Sequence, residues 1–214
     1  MSSRKWVGRV VLYRRALQAL VAAGREAVSS AELAEAADCT AEMVRRDLME
    51  IPCSGSPRRG YPARELLAGI DVVMGAARNM PVALVGLGNL GRAVLGYISS
   101  RDCPLQLRAV FDRAPEVVGR SFGALRCLHV DALPEAVRDL GIRLGIVAVP
   151  ADQAQAVAEL MVSAGITGIL NFAPVRLAVP GDVVLENMDI LVGLEAVAWM
   201  SRLAAISRQG GVAD

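Results

Sequence analysis

Four apolar residues, Val82-Ala83-Leu84-Val85, run directly into Gly86-Leu87-Gly88-Asn89-Leu90-Gly91, and that loop continues into Arg92-Ala93-Val94-Leu95-Gly96-Tyr97-Ile98. An apolar run with β-branched ends predicts a buried parallel strand, and the segment after the loop predicts a helix. Strand, glycine turn and helix in that order leave little choice of fold. The first glycine permits the tight turn, the second lets a pyrophosphate approach the backbone, and the third lets the helix pack close to the strand. The helix N-terminus then offers N–H groups and the positive end of its dipole to phosphates. A second strand is expected over Leu105–Phe111, ending on Asp112, twenty-one residues after Gly91. An acid there accepts hydrogen bonds from ribose hydroxyls and repels a 2′-phosphate, so NAD(H) is the expected cofactor; Arg113 beside it softens that preference.

Further strands are expected over Arg126–Val130, Leu144–Val149, Ile169–Asn171 and Val183–Glu186, with a helix over Asp152–Ala164. Alternating strands and helices imply an α/β fold with a doubly wound parallel sheet and ligands at the strand C-terminal ends. Val149, Pro150, Asn171 and Phe172 stand at those ends and are expected around the nicotinamide.

The first seventy residues read differently. Apolar residues Val7, Val10, Val11, Tyr13, Leu17, Leu20 and Val21 recur at helical spacing between Trp6 and Ala23, and Gly24 supplies a stop. Ser29 and Glu32 form a capping-box pattern for a short second helix, and Thr40 can cap a third with Glu42 in its first turn. Short helix, tight turn and short helix predict a helix-turn-helix, with Met43 and Leu48 facing the core and Arg45 and Arg46 facing outward. The turn-rich run from Pro52 to Pro62 suits a wing bearing Arg58 and Arg59, which can meet phosphates or a narrow minor groove, or form a solvated loop. Residues 1–70 carry 11 Arg and Lys against 8 Asp and Glu, whereas residues 71–214 carry 12 against 14. Arg64–Met74 is expected to be a helix joining the two domains.

Composition bounds the alternatives. At 214 residues, one full domain plus a small one fits best. The longest charge-free stretch, Leu160–Val175, is interrupted by Gly165, Gly168, Asn171 and Pro174, and no signal-peptide pattern opens the chain, so a cytoplasmic protein without a membrane span is expected. Cys39, Cys53, Cys103 and Cys127 form no Cys-x-x-Cys pair and the chain has a single histidine, His129, so neither a metal site nor a disulfide framework is expected. Hydride-transfer enzymes use an acid or base near the nicotinamide. Here the sole lysine, Lys5, lies in the N-terminal piece, His129 reads as a packed or surface residue, and Tyr97 lacks a lysine partner. This shifts weight from a dehydrogenase to a sensor, with an NAD-dependent oxidoreductase carrying a helical appendage as the alternative. A dinucleotide-binding module whose head contacts protein is a third reading.

Several motifs in order make the resemblance to a family specific: Arg9-x-x-Leu12-Tyr13-x-Arg15-x-Leu17, Val28-Ser29-Ser30-Ala31-Glu32-Leu33, Arg45-Arg46-Asp47-Leu48, Gly88-Asn89-Leu90-Gly91, Phe111-Asp112, Val149-Pro150, Gly168-Ile169-Leu170-Asn171-Phe172 and Met188-Asp189. Over nearly its whole length the chain resembles Rex, the bacterial redox-sensing transcriptional repressors. The resemblance implies a winged-helix DNA-binding domain over residues 1–75, a Rossmann NAD(H) domain over 76–187 and a C-terminal helix over 188–214 that swaps into the partner of a homodimer. It implies that operator DNA is bound when NADH is scarce and released when NADH binds, with Arg9, Ser29, Ser30, Arg45, Arg46, Arg58 and Arg59 on the DNA side. It further implies a switch of Arg15, Tyr97 and Asp189. The swapped helix would bury Leu191, Leu194, Val197, Ala198 and Leu203, against the partner or against its own subunit. The segment Met49-Glu50-Ile51-Pro52-Cys53-Ser54 departs from the family, which has an aromatic pair and glycines there, and this puts operator choice and DNA affinity in question.

Overall fold

The computed structural model describes residues 4–56, 58–75, 80–100 and 105–210, with side chains described through residue 206. Cys103 lies outside the described residues. The chain divides into two compact units, Met1–Ala77 and Arg78–Asp214.

In the first unit, α1 (Arg4–Ala22) is followed by β1 (Ala27–Val28), α2 (Ser30–Ala36), α3 (Ala41–Leu48), β2 (Tyr61–Pro62) and α4 (Ala63–Met74). Gly24, at φ +77°, carries the chain out of α1 in a conformation that penalises any Cβ. Ser29 and Glu32 form the capping box at α2, and the Thr40 hydroxyl accepts from the Met43 N–H at the start of α3. Trp6, Val10, Tyr13 and Leu17 of α1 form one core with Leu33, Val44, Leu48, Ile51, Leu66 and Ile70. Met43 is a correction to the sequence reading: it is 40% exposed, and Val44, fully buried, takes its place. Val44 and Leu48 are one turn apart on the same face, and Met43 sits about 100° away from Val44 around the helix. The two-residue strands β1 and β2 pair antiparallel, Ala27 with Pro62 and Val28 with Tyr61, and were not expected from sequence. Arg14, nearly buried, donates to Asp71 at 2.7 Å and ties α1 to α4.

In the second unit, β3 (Met80–Val85), α5 (Asn89–Ser99), β4 (Leu105–Asp112), β5 (Ser121–Phe122), β6 (Leu125–His129), α6 (Leu133–Asp139), β7 (Leu144–Val147), α7 (Ala151–Ser163), β8 (Gly168–Asn171), β9 (Val184–Asn187) and α8 (Ile190–Gly210) follow in order. The sheet runs β5-β6-β4-β3-β7-β8-β9, parallel except for β5. Its six parallel strands therefore have the doubly wound order 3-2-1-4-5-6, with the crevice between the C-terminal ends of β3 and β7. Alternation along β3 feeds two cores: Ala83 and Val85 pack with α6 and α7, and Val82 and Leu84 with α5. The short strand β5 and helix α6 were not anticipated.

The helix α8 buries none of its expected apolar face on its own chain. Leu191, Leu194, Val197 and Leu203 are 55–63% exposed, Ala198 is exposed, and Ile190, Val192, Trp199, Met200 and Ile206 are exposed with them. This overturns packing against its own subunit as the account of that helix.

Gly69 on α4 explains how the divergent segment is accommodated: a Cβ there would overlap the Pro52 carbonyl and crowd Ile51. The Gly69→Ala variant is expected to lose about 1–3 kcal/mol by overpacking. Gly96→Ala, whose Cβ on α5 meets nothing within 4 Å, should be neutral or slightly stabilising. Urea unfolding of the two variants checks this, and equal midpoints would refute the close approach.

Candidate nucleotide cleft and nucleic-acid face

The glycine loop is built by backbone contacts that exclude side chains. Gly86 turns at φ +98°, and a Cβ on it would strike the Ala148 carbonyl; a Cβ on Gly91 would strike the Gly86 carbonyl. Gly88 differs, since a Cβ there would meet no protein atom within 4 Å although the residue lines a cleft of about 640 Å³. The backbone at Gly88 is thus open to the cleft, where a pyrophosphate could approach it.

Asp112 braces this loop. One carboxylate oxygen accepts from the Leu87 N–H at 2.6 Å, and the other accepts from the N–H groups of Arg113 at 2.7 Å and Ala114 at 2.9 Å. Arg92, in the first turn of α5, donates to the Leu87 carbonyl at 3.0 Å and to Asn89 Oδ1 at 2.7 Å. The cleft is closed by Val149 and Pro150 after β7, by Gln153 and Val157 of α7, and by Arg113 to Val117 and Arg120 beyond β4. Leu87 is buried in the core beneath the loop, and Leu90 is half-buried on α5. The residues present fit a dinucleotide: a bare backbone cradle, a helix N-terminus, a carboxylate at the second strand and apolar walls.

Asn171 and Phe172 do not line the cleft. Asn171 is fully buried, and its amide donates to the Val175 carbonyl at 2.8 Å, to Asn187 Oδ1 at 2.9 Å and to the Ala173 carbonyl at 3.3 Å, while its own oxygen accepts from the Ala173 N–H at 2.9 Å. It knots the ends of β8 and β9 together. Phe172 is half-buried beside the core under α5.

In the first unit a buried carboxylate pins α3 to α1. Asp47 accepts both arms of the Arg9 guanidinium, Nε and Nη2, at 2.7 Å each, and the Tyr13 hydroxyl at 2.9 Å. Hydrogen bonding to Asp47 keeps Arg9 charged, and burial together with bonds to Cys39 and Asp47 raises the Tyr13 phenol well above its ordinary value. The structure thus gives Arg9 a positioning role absent from the sequence reading. Ser29 is engaged in the α2 cap. Ser30 is nearly buried and accepts from Arg45 at 3.5 Å, so α2 steers a side chain of α3. Arg46 is exposed on α3. Arg58 and Arg59 are exposed at the tip of a hairpin closed by Ser56 and Gly60, whose backbones exchange bonds of 2.9 and 3.2 Å. Glu65 of α4 fixes the base of that wing by accepting both the N–H and the hydroxyl of Ser54, the latter at 2.6 Å, and these bonds lower its pKa.

Of the residues expected to switch, Arg15 is exposed on α1, Tyr97 is 54% exposed on α5, and Asp189 caps α8 by accepting from the N–H groups of Leu191 and Val192. The Cys127 thiol is pushed up to about 11, first by burial and then by the charge of Asp112, and burial also raises Cys53. Neither is a reactive thiolate at neutral pH. Among the described residues no His, Cys, Asp and Glu cluster could hold a metal, and no helix is long and apolar enough to cross a membrane.

Residues 3–48 match the family described as putative DNA-binding protein N-terminus, and residues 77–175 match the CoA binding domain family. The redox-sensing transcriptional repressor Rex of Thermus thermophilus is 39% identical over 193 residues, spanning 90% of this chain and 90% of its own length. This chain belongs to the Rex family. Rex of Carboxydothermus hydrogenoformans is 36% identical, spanning 92% of this chain and 94% of its own. RSP, a Rex-family repressor of known crystal structure, aligns with a TM-score of 0.86 at 30% identity, over 98% of this chain and 99% of RSP. RSP with β-NAD⁺ and operator DNA gives 0.85 at 29% identity, over 100% and 99% of the two chains.

Within this Rex-family chain, sequence reasoning missed Arg92, Arg120, Gln153 and Val157 in the cleft and Asp47 and Asn187 as positioning groups. Only Arg92 carried a local signal, its place in the first helical turn after the loop. The Asp47 pin leads to a prediction. Asp47→Asn should cost about 3 kcal/mol, because a buried partner is removed from a charged pair, and should reduce DNA affinity. Thermal unfolding and binding measured on the full chain check it; unchanged stability would remove Asp47 from this role.

Proposed function

We propose that the chain is an NAD(H)-responsive transcriptional repressor, binding operator DNA when NADH is scarce and releasing it when NADH binds. One observation carries this reading. The dinucleotide cleft is braced by carboxylate, guanidinium and backbone groups, with no His, Lys, Tyr or Cys among the described residues that line it, in a chain that also presents a capped helix-turn-helix and an arginine-tipped wing. Such a cleft receives a nicotinamide nucleotide without offering it one of those four side chains as an acid or base. In keeping with the repressors it is related to, the chain is read as a regulator and not as an oxidoreductase. RSP supplies the parallel for both ligands, being known with β-NADH and with β-NAD⁺ plus operator DNA.

The active species in this reading is a homodimer acting in the cytoplasm. The exposed apolar face of α8 is too long and continuous for a lone chain to leave in water, and a second copy covers it. Arg15, Tyr97 and Asp189 form the switch: Asp189 accepts from tyrosine in one arrangement and pairs with arginine in the other, and NADH biases the choice. The glycine loop from Gly86 to Gly91, with Asp112, Val149 and Pro150, receives NADH. Arg45, Arg46, Arg58 and Arg59 meet the duplex.

Fluorescence anisotropy on an operator duplex selected from a random pool tests this at one fixed salt concentration, since phosphate contacts make affinity salt-dependent. Binding should weaken on adding NADH; unchanged binding would overturn the reading. The Arg58→Glu/Arg59→Glu variant should bind every duplex more weakly, and its dependence on salt should flatten by about one unit of slope for each lost phosphate contact.

A further inference from the structure

Two features of the cleft bear on which dinucleotide it accepts. An acid at the end of the second strand selects NAD(H) when its oxygens are available to the ribose hydroxyls, and an arginine beside it accommodates a 2′-phosphate. Here Asp112 already accepts three backbone N–H bonds, from Leu87, Arg113 and Ala114. A carboxylate has about four acceptor positions, so only one remains for a ribose hydroxyl.

Cations line the same cleft. Arg113 follows Asp112 directly, and Arg120 immediately precedes β5; both line the cleft and both are exposed. Among the described residues neither guanidinium has a hydrogen-bond or ion-pair partner, whereas Arg92 is committed to Leu87 and Asn89. Asp112 and Glu116 are the acids of the lining, against Arg92, Arg113 and Arg120. A guanidinium fork matches a phosphate bidentately, which a ribose hydroxyl cannot exploit.

We propose that this cleft also takes the 2′-phosphorylated dinucleotide, NADP(H), with Arg113 and Arg120 holding the 2′-phosphate beside a carboxylate most of whose acceptor positions the backbone already fills. The inference rests on the reading of the cleft as the dinucleotide site. A protein of this kind would respond to the reduced nicotinamide pool of either form.

Isothermal titration of the full-length protein with NADH and with NADPH tests it, on the wild type and on Arg113→Ala. Wild-type affinities within about tenfold of each other are expected. In Arg113→Ala, NADPH should weaken about tenfold or more, as loss of one charge-assisted contact implies, while NADH changes by less than about threefold. Adenosine 2′,5′-bisphosphate should compete with NADPH better than the 3′,5′ isomer. NADH binding with NADPH weaker by about a thousandfold would overturn the inference and leave the dinucleotide site standing. Equal losses for both nucleotides in Arg113→Ala, or stronger competition by the 3′,5′ isomer, would overturn it as well. Binding of neither nucleotide would overturn both the inference and the reading beneath it.

Discussion

Gly91 brings α5 so close to the Gly86 carbonyl that no side chain fits between them, while Gly86 itself turns against the Ala148 carbonyl at a φ of +98°. That double approach fixes where α5 starts and directs its N-terminus along the crevice between β3 and β7. The Asp112 brace on Leu87 then sets the loop's height above β4. Every wall of the cleft is placed relative to this turn, including Val149 and Pro150 after the neighbouring strand. A site assembled from backbone and one braced carboxylate is stiff before any ligand arrives, which limits the ordering cost of binding.

The N-terminal unit solves a different problem with the same economy. Its helix α3 is only eight residues long and cannot hold its own orientation. Asp47 supplies the hold, gripped by Arg9 and Tyr13 from α1, and Ser30 of α2 steers Arg45. The arginines at the hairpin tip and on the outer face of α3 stand on a frame whose polar interior is hydrogen-bonded. In the second unit the counterpart is Asn171, which locks the last residues of β9 just before the Asp189 cap of α8. A ligand can shift such a system only by its difference in affinity between two arrangements, so stiff elements joined at a few polar contacts suit a switch better than a soft one.

Much of this was legible in the sequence because the determinants are local. Helix caps at Ser29 and Thr40, the stop at Gly24 and the glycine loop act within four or five residues, and the doubly wound sheet followed from alternating strands and helices. What was not legible depends on distance along the chain. Arg9 meets Asp47 across 38 positions and Arg14 meets Asp71 across 57, so neither pair leaves a local pattern. The strands β1 and β2 are two residues each and exist through their pairing. Met43 and Val44 are both apolar neighbours on one short helix, and only the three-dimensional face chose between them. Asn171 sat at the right strand end to be read as a ligand contact, yet its partners, Val175 and Asn187, turn its amide inward.

The central claim is that nucleotide and duplex bind one two-state element with opposite preference. Such coupling is reciprocal in free energy. The most direct measurement is the affinity of the full-length protein for NADH with and without saturating operator duplex at one salt concentration. The account predicts that the duplex weakens NADH binding by the same factor by which NADH weakens duplex binding. An NADH affinity that does not change when the duplex is bound would contradict it.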